Sequence, residues 1–380
     1  MINGFVDGAR SARQGRLKVF LGMAAGVGKT VAMLREARRL REEGIDVVCG
    51  FVETHGRKET QAEVEGLDVI PRKTLDYRGV ALEEMDLDAL LARRPDVAVV
   101  DELAHTNVPG SRHEKRYQDV EVLLDAGVSV LSAVNIQHLD SLHDVVLRAT
   151  GVDVRERIPD RVLQRADEVV VVDLAPEDLQ ERLRSGKVYP PVKVERALQS
   201  FFRADNLTSL RQLALREVAN AVEYRARSRV RASRDEAGGA PVADAERVMV
   251  AMASVPSATR SLLRQGARLA GGLNSRWFVV YVRTPNESTE RIASPALRSL
   301  TENIRLAQEL GAEVVRLEGT DVAATLARFA RERGITHAIF GRSRAPAWRD
   351  RVFGSVLDRF MRAAPDVDVL VVGAREERAR

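Results

Sequence analysis

Short β-branched runs alternate with longer amphipathic stretches along the first half of the chain. Leu17-Lys-Val-Phe-Leu21 reads as a strand. Thr30 to Glu43 reads as a helix with Val31, Leu34, Ala37 and Leu40 on one face and Arg and Glu opposite, and Gly44 ends it. Asp46 to Val52, Asp96 to Val100, Val128 to Val134 and Glu168 to Val172 read as further strands, with a helix over Leu82 to Ala92 before the second of these. The strands are apolar throughout rather than alternating, the mark of burial on both faces, which predicts a parallel sheet covered by helices. Arg196 to Arg234 reads as one long helix, crowded with arginine towards its end (Arg225, Arg227, Arg229, Arg231, Arg234).

Gly238-Gly239-Ala-Pro241 breaks that helix, and a linker is expected over 231–245. The alternation then restarts. Strands are expected at Arg247 to Met252, Trp277 to Val282, Glu313 to Leu317, His337 to Gly341 and Val367 to Val372. Helices are expected at Thr259 to Ala270, Ala296 to Leu310, Asp321 to Arg333 and Gly354 to Arg362, the third with an acid near its positive end. The fold class is therefore α/β. A parallel-sheet domain over 17–230 precedes a smaller doubly wound, flavodoxin-like domain over 246–374, with a flexible N-terminus (1–16) and a short tail (375–380).

Composition narrows the function classes. Fifty-nine Lys and Arg stand against 55 Asp and Glu, a net charge of only +4, so no whole-protein field for nucleic acid is expected. Aromatics at 4% argue against a base-stacking platform. The single cysteine, Cys49, lies in an apolar run and reads as a buried small hydrophobe in a reducing compartment. The N-terminus lacks an apolar leader, and no run approaches the roughly 18 apolar residues of a membrane span, so the expectation is a cytoplasmic protein.

The strongest chemistry lies at Gly22-Met-Ala-Ala-Gly26-Val27-Gly28-Lys29-Thr30, between a strand and a helix. Small residues let backbone N–H groups approach phosphate oxygens, and the helix start adds its positive dipole end. Lys29 is expected at the β- and γ-phosphates of ATP, and the Thr30 hydroxyl on Mg²⁺. The glycine spacing departs from the usual one: Met23 holds the first-glycine position, Gly22 comes one residue early, and Gly26 is the candidate compensation. Asp101, closing Val97-Ala-Val-Val, is expected to hold a Mg²⁺-bound water, and Glu102 to position a nucleophile. The polar stretch Asn107 to His113 is a candidate switch loop. Arg57, after the second strand, and Asn135-Ile-Gln137-His138, after the fourth, sit where a parallel sheet meets its ligand. The six histidines include no i, i+4 pair, so a metal–histidine site is not expected.

Gly22 to Thr30, Val52-Glu-Thr-His-Gly-Arg57, Val100-Asp-Glu-Leu-Ala-His-Thr-Asn107, Ser111-Arg-His113 and Val134-Asn-Ile-Gln-His-Leu139 together resemble the cytoplasmic N-terminal sensor domain of the KdpD potassium-responsive histidine kinases. The resemblance runs from about Arg16 to Tyr224 and includes the same shifted glycine spacing. It implies an ATP-binding regulatory site in potassium homeostasis and osmosensing. Ala245 to Ala374 resembles the universal stress protein domain that follows in that family. Its ATP-binding members carry glycines matched here by Gly341 and Gly354, followed by Ser355, with Arg344 in place of one glycine. Some members bind cyclic di-AMP through residues that Ser254, Ser257, Trp277 and Tyr281 match loosely. Full-length members continue into membrane helices and a histidine kinase core, and the chain here stops at Arg380. The chain is expected to be either a piece of such a protein or a natural short form, the latter favoured, and in both cases to lack histidine autophosphorylation.

Three functions follow from these residues. The first is a regulatory module in which ATP–Mg²⁺ at Lys29, Thr30 and Asp101 alters contacts with a Kdp-system partner: a kinase core, a response regulator or the transporter. The second is an enzyme, an ATPase or serine phosphotransferase with Glu102 as base. The third is a dimeric scaffold whose arginine-rich helix meets an acidic partner or an anionic membrane surface.

Overall fold

The computed structural model describes residues 14–54, 56–236, 246–253, 259–273, 275–285, 294–341 and 355–373. The chain divides into two compact units, the first ending at Ala226 and the second beginning at Arg227, apart from a short segment around Arg161.

The first unit is built on a six-stranded, all-parallel sheet. Its strands are β1 (Leu17–Gly22), β2 (Val47–Phe51), β3 (Asp68–Val69), β6 (Val97–Val100), β7 (Ser129–Asn135) and β8 (Glu168–Val171), in the order β3-β2-β6-β7-β1-β8. Alternate residues serve opposite faces. Phe20, Cys49, Val99 and Leu131 pack with Met33, Leu34, Ala37 and Leu40 of the helix Lys29–Glu42. Val19, Leu21, Val48, Val100 and Val134 pack into the core on the other side. Both layers being filled is why the strands read as unbroken apolar runs. Cys49 is 2% exposed, and burial pushes its thiol up to about 12, so it is an inert core group.

Three local expectations need correction. Leu82 to Ala92 is not one helix. Val80–Glu84 is a strand, β5, paired antiparallel with β4 (Lys73–Tyr77), and the helix starts only at Leu87. The reversal is a two-residue turn at Arg78-Gly79, both at positive φ (55° and 78°), the backbone that a tight hairpin demands. The long helix is interrupted as well. Pro191–Gln199 and Ala204–Glu236 are separate helices, with Asn206 Nδ2 donating to Ser200 O (2.9 Å) at the break, and the second helix continues past Arg231 into the expected linker. Gln14 to Arg16, read as flexible, are held by Gly15 N→Leu124 O (2.7 Å) and Val130 N→Arg16 O (2.8 Å).

The second unit carries five parallel strands in the order β11-β10-β9-β12-β13: β9 (Arg247–Ala251), β10 (Arg276–Arg283), β11 (Glu313–Glu318), β12 (His337–Gly341) and β13 (Asp368–Val372). Helices Thr259–Leu273, Ser294–Glu309, Val322–Arg333 and Val356–Ala363 connect them, close to expectation. Asp321 caps the third helix, its carboxylate accepting from Ala324 N. Val250, Val279 and Ile339 fill one face, and Met249, Val280 and Phe340 the other. Among the described residues, no helix is long and apolar enough to cross a membrane.

Candidate nucleotide site

A cavity of about 540 Å³ opens at the C-terminal ends of β1, β2, β6 and β7. In a parallel sheet this is where connecting loops converge and helix N-termini point inward. Its floor is the Gly22–Thr30 turn. Gly26 and Gly28 adopt φ of 91° and 100°, the left-handed region that glycine enters without penalty. Gly22, one residue early in the spacing, is tightly packed. A Cβ there would lie 2.6 Å from Val27 Cγ2 and 3.0 Å from Lys29 Cδ, so this residue provides the close approach. Met23, in the usual glycine place, is 2% exposed and belongs to the core.

Lys29 opens the helix and is itself buried. Its Nζ donates to Ala24 O (3.0 Å), curling back over the turn. Burial lowers its pKa from 10.5 to about 8, the Asp101 charge opposing that and the Arg57 charge adding to it. Thr30 Oγ1 donates to Asp101 Oδ2 (2.9 Å), so the two expected metal ligands are in direct contact although 71 residues separate them. Asp101 Oδ1 accepts from Glu102 N (2.9 Å). Burial pushes its pKa up, against those two bonds and the charges of Lys29 and Arg116. Glu102 lines the cavity at φ 55°, a conformation unusual for a side-chain-bearing residue at a strand end.

Beneath this corner lies an ion pair that the motifs did not announce. Arg116 is wholly buried, its Cζ 3.7 Å from the Phe51 ring centroid, and it pairs with Glu84 on β5 while Nη1 reaches Asp101 O (3.4 Å). Glu84 also accepts from Met85 N (3.0 Å), Val108 N (3.0 Å) and His105 Nε2 (3.2 Å). Burial alone would raise its pKa. The His105 bond, the Arg116 charge and the two backbone donors prevail and bring it to about 2. The Asn107 to His113 stretch is fastened in this structure. Asn107 Nδ2 donates to Asp119 Oδ2 (2.6 Å) and to His113 O (3.1 Å), and His113 Nδ1 meets Asp119 Oδ1 (2.6 Å).

The remaining walls come from three segments. Arg57 reaches in from the β2 end, and Asn135 and His138 from the β7 end. The Asn135 Oδ1 is buried without an acceptor role, while His138 Nδ1 is bonded to Glu156 O (2.8 Å). Burial lowers the His138 pKa. The third wall, Arg182 with Gly186 to Pro190, escaped sequence reasoning. No sequence motif singled out Arg182, and nothing in its spacing points back to the turn. The signal available was Gly26. A Cβ there would lie 2.4 Å from Val188 Cγ2, so the turn is covered by this segment.

The sites expected in the second unit fare differently. Gly341 ends β12, whereas Gly354, Arg344, Ser254 and Ser257 lie outside the described residues. Ser355 caps the helix Val356–Ala363 in a box with Asp358. Trp277 and Tyr281 are 6% and 8% exposed and packed in the core. Of the arginine-rich helix, Arg211 pairs with Asp173 and Arg225 donates to Asp167 O, both within the first unit.

The fold and corner define the class: a P-loop-like α/β unit followed by a universal-stress-protein-like unit. Residues 13–222 match the family described as "KdpD: Osmosensitive K+ channel His kinase sensor domain", and residues 245–373 match the "Universal stress protein family". The chain belongs to the KdpD sensor family. It is 46% identical over 360 residues to the "Putative sensor protein KdpD" of Synechocystis sp., covering 95% of this chain and 94% of that one. It is 47% identical to the "Sensor protein KdpD" of Escherichia coli, covering 97% of this chain but 40% of the relative. Among solved structures, a universal stress protein in complex with cAMP aligns over 34% of this chain and 98% of its own, at 21% identity and a TM-score of 0.28.

Proposed function

We propose that the first unit binds ATP with Mg²⁺ and serves as a cytoplasmic regulatory module of potassium-uptake control, altering a Kdp-system partner. The partner would be a kinase core, a response regulator or the transporter. One observation carries the nucleotide reading. A buried lysine spends its ammonium group on the carbonyl of its own turn, in a cavity whose floor has two left-handed glycines and whose metal-ligating pair is already in contact. A phosphate oxygen is a stronger acceptor for an ammonium group than a neutral carbonyl. Lys29 would exchange Ala24 O for it, while the uncapped N–H groups of the helix start face the same anion. Mg²⁺ prefers few protein oxygens and several phosphate or water oxygens, which fits Thr30 and Asp101 as the protein's share. The metal's charge would also reverse the burial effect that now raises Asp101.

Calorimetry with Mg-ATP tests this. The wild-type chain is expected to bind, and Lys29→Ala to weaken binding about a hundredfold or more through loss of a charge-assisted bond in a buried site. A wild-type chain that takes up no Mg-ATP sinks the reading.

The position of Glu102, lining the cavity beside Asp101 at φ 55°, favours a second reading, in which the site also turns ATP over or passes phosphate to a serine. Glu102 would then accept the proton of the attacking hydroxyl or water. Phosphate release by the wild-type chain that Glu102→Gln abolishes would support turnover. Binding without release leaves the regulatory reading alone.

A further inference from the structure

We propose that Arg57 and Arg182 form a two-guanidinium clamp on the outermost phosphate of the bound nucleotide and make the site selective for a triphosphate over a diphosphate. The inference rests on the nucleotide reading above and adds the residues that count phosphates.

The two arginines enter the cavity from different segments. Arg57 immediately precedes the helix Lys58–Val64, and Arg182 lies on the helix Pro176–Arg184. Each has a buried Nε with no acceptor. An orphaned buried N–H is costly, and Arg116 Nε is another, but of these three arginines only Arg57 and Arg182 line the cavity, where an anion can answer them. Arg57 Nη2 currently donates to Val188 O (2.9 Å), and Arg182 Nη2 to the exposed Glu59 carboxylate (3.3 Å). Both arrangements leave each planar fork only partly used, and a phosphate is the anion a fork matches with two parallel bonds.

Charge points the same way. Lys29, Arg57 and Arg182 line one cavity. Burial lowers the Arg57 pKa; Tyr189 and then Asp101 oppose this, and the Arg182 charge adds a smaller lowering. The wall also carries the acids Glu53, Glu59, Glu102 and Glu156, and the exposed Glu59 is the partner that a phosphate would displace from Arg182. Glu53 pairs with Arg72 (3.3 Å), Glu59 with Arg182 and Lys187, and Glu156 accepts from Thr106 N (3.0 Å). Asp101 is the buried carboxylate among the cations, and it is bonded to Thr30. Like charges gathered around a cavity are stabilised when a polyanion fills it.

The position along the phosphate chain follows from the same interactions. Lys29 and the Thr30–Asp101 pair mark the end where β- and γ-phosphates and metal belong. Arg57 Nη2 is bonded to Val188 O (2.9 Å), and Val188 lies over Gly26 of the turn, so Arg57 stands beside that turn, with Arg182 lining the same cavity. A diphosphate leaves the clamp without its anion; a triphosphate supplies it.

Affinities for Mg-ATP and Mg-ADP would be measured on the full chain for the wild type, Arg57→Gln, Arg182→Gln and Arg57→Lys. The wild type is expected to prefer ATP by about tenfold or more, the scale of a charge-assisted fork. Each Gln variant should lose most of that preference by weakening ATP while leaving ADP nearly unchanged. Arg57→Lys, which keeps the charge but not the fork, should fall between. Should Arg57→Gln fail to fold, Arg182→Gln, on a half-exposed helix position, carries the test alone. Equal ATP and ADP affinity in the wild type overturns the clamp and leaves the nucleotide site standing. Equal weakening of both ligands by the Gln variants does the same. A wild type that binds neither nucleotide removes both readings.

Discussion

The corner that opens the helix Lys29–Glu42 and the corner that opens the helix Val356–Ala363 belong to similar parallel sheets, yet they treat a helix N-terminus in opposite ways. In the first, the residue before the helix is Gly28, no side chain caps it, and the first turn holds no acid. In the second, Ser355 Oγ accepts from Asp358 N (3.0 Å), and the Asp358 carboxylate accepts from Ser355 N (3.2 Å). One helix start has its donors answered by its own chain; the other leaves them facing a cavity. A glycine in place of a capping side chain costs about a few tenths of a kcal/mol, and burying a lysine beside it costs more. Such a corner is stable only if the rest of the unit carries it, and the cost is recovered when an anion arrives. The difference separates a structural turn from a binding one more sharply than glycine content does.

The largest break in that comparison should come from beneath the first corner. Arg116 and Glu84 are a buried ion pair that props up the end of β6 through Asp101 O. Removing one partner strands the other, at a cost of about 3–5 kcal/mol. Arg116→Leu is therefore expected to lower unfolding stability by that amount in chemical denaturation. Arg116→Leu combined with Glu84→Gln should recover much of it, because no charge is then left unpaired. A single variant that loses under about 1 kcal/mol would show that the corner does not rest on this pair.

A smaller effect with a diagnostic sign belongs to Lys29. Its folded pKa of about 8 lies below the ordinary 10.5, so the folded chain binds fewer protons than the unfolded chain between those values. Stability from this group therefore rises as pH climbs from about 8 to 10.5, by at most about 3 kcal/mol, and is flat below 8. Nucleotide affinity should move the other way, falling as the ammonium group loses its proton above about pH 8. Calorimetry at pH 8.5 in buffers of different ionisation enthalpy should show proton uptake on ATP binding. Uptake that survives unchanged in Lys29→Met would place the titrating group elsewhere.

Much of the first corner was legible because its chemistry is local. Gly22, Gly28, Lys29 and Thr30 are contiguous with a strand and a helix, and Asp101 closes an unmistakable apolar run. The buried support was not legible, because it is long-range. Glu84 lies in Leu82 to Ala92, where Leu82, Leu87 and Leu90 mimic helical spacing, and only the Arg78-Gly79 dipeptide betrays the hairpin. Arg116 carries no sequence signal of burial, yet it is wholly buried against Phe51. Arg182 and Val188 reach the turn only through the tertiary fold. Asn107 and His113 were visible as polar signature residues. Their fastening to Asp119 gives them a structural task that a polar loop sequence does not reveal.

The smallest expected effect tests the other side of the comparison. Ser355→Ala removes the hydroxyl that satisfies Asp358 N, and should cost about 1 kcal/mol, the usual value of a lost Ser cap. It should leave Mg-ATP affinity unchanged, because that hydroxyl is committed to its own helix and the Asp358 carboxylate already takes the Ser355 N–H at the helix start. Hydrogen bonding to Ser355 lowers the Asp358 pKa, which keeps that negative charge in place at neutral pH. Repulsion between this carboxylate and a phosphate is the physical reason for expecting a turn without a nucleotide there. If Ser355→Ala weakened nucleotide binding as much as Lys29→Ala, the box would have to open in the bound state. The two corners would then be alike in function despite their opposite capping, and capping alone would no longer tell a binding turn from a structural one.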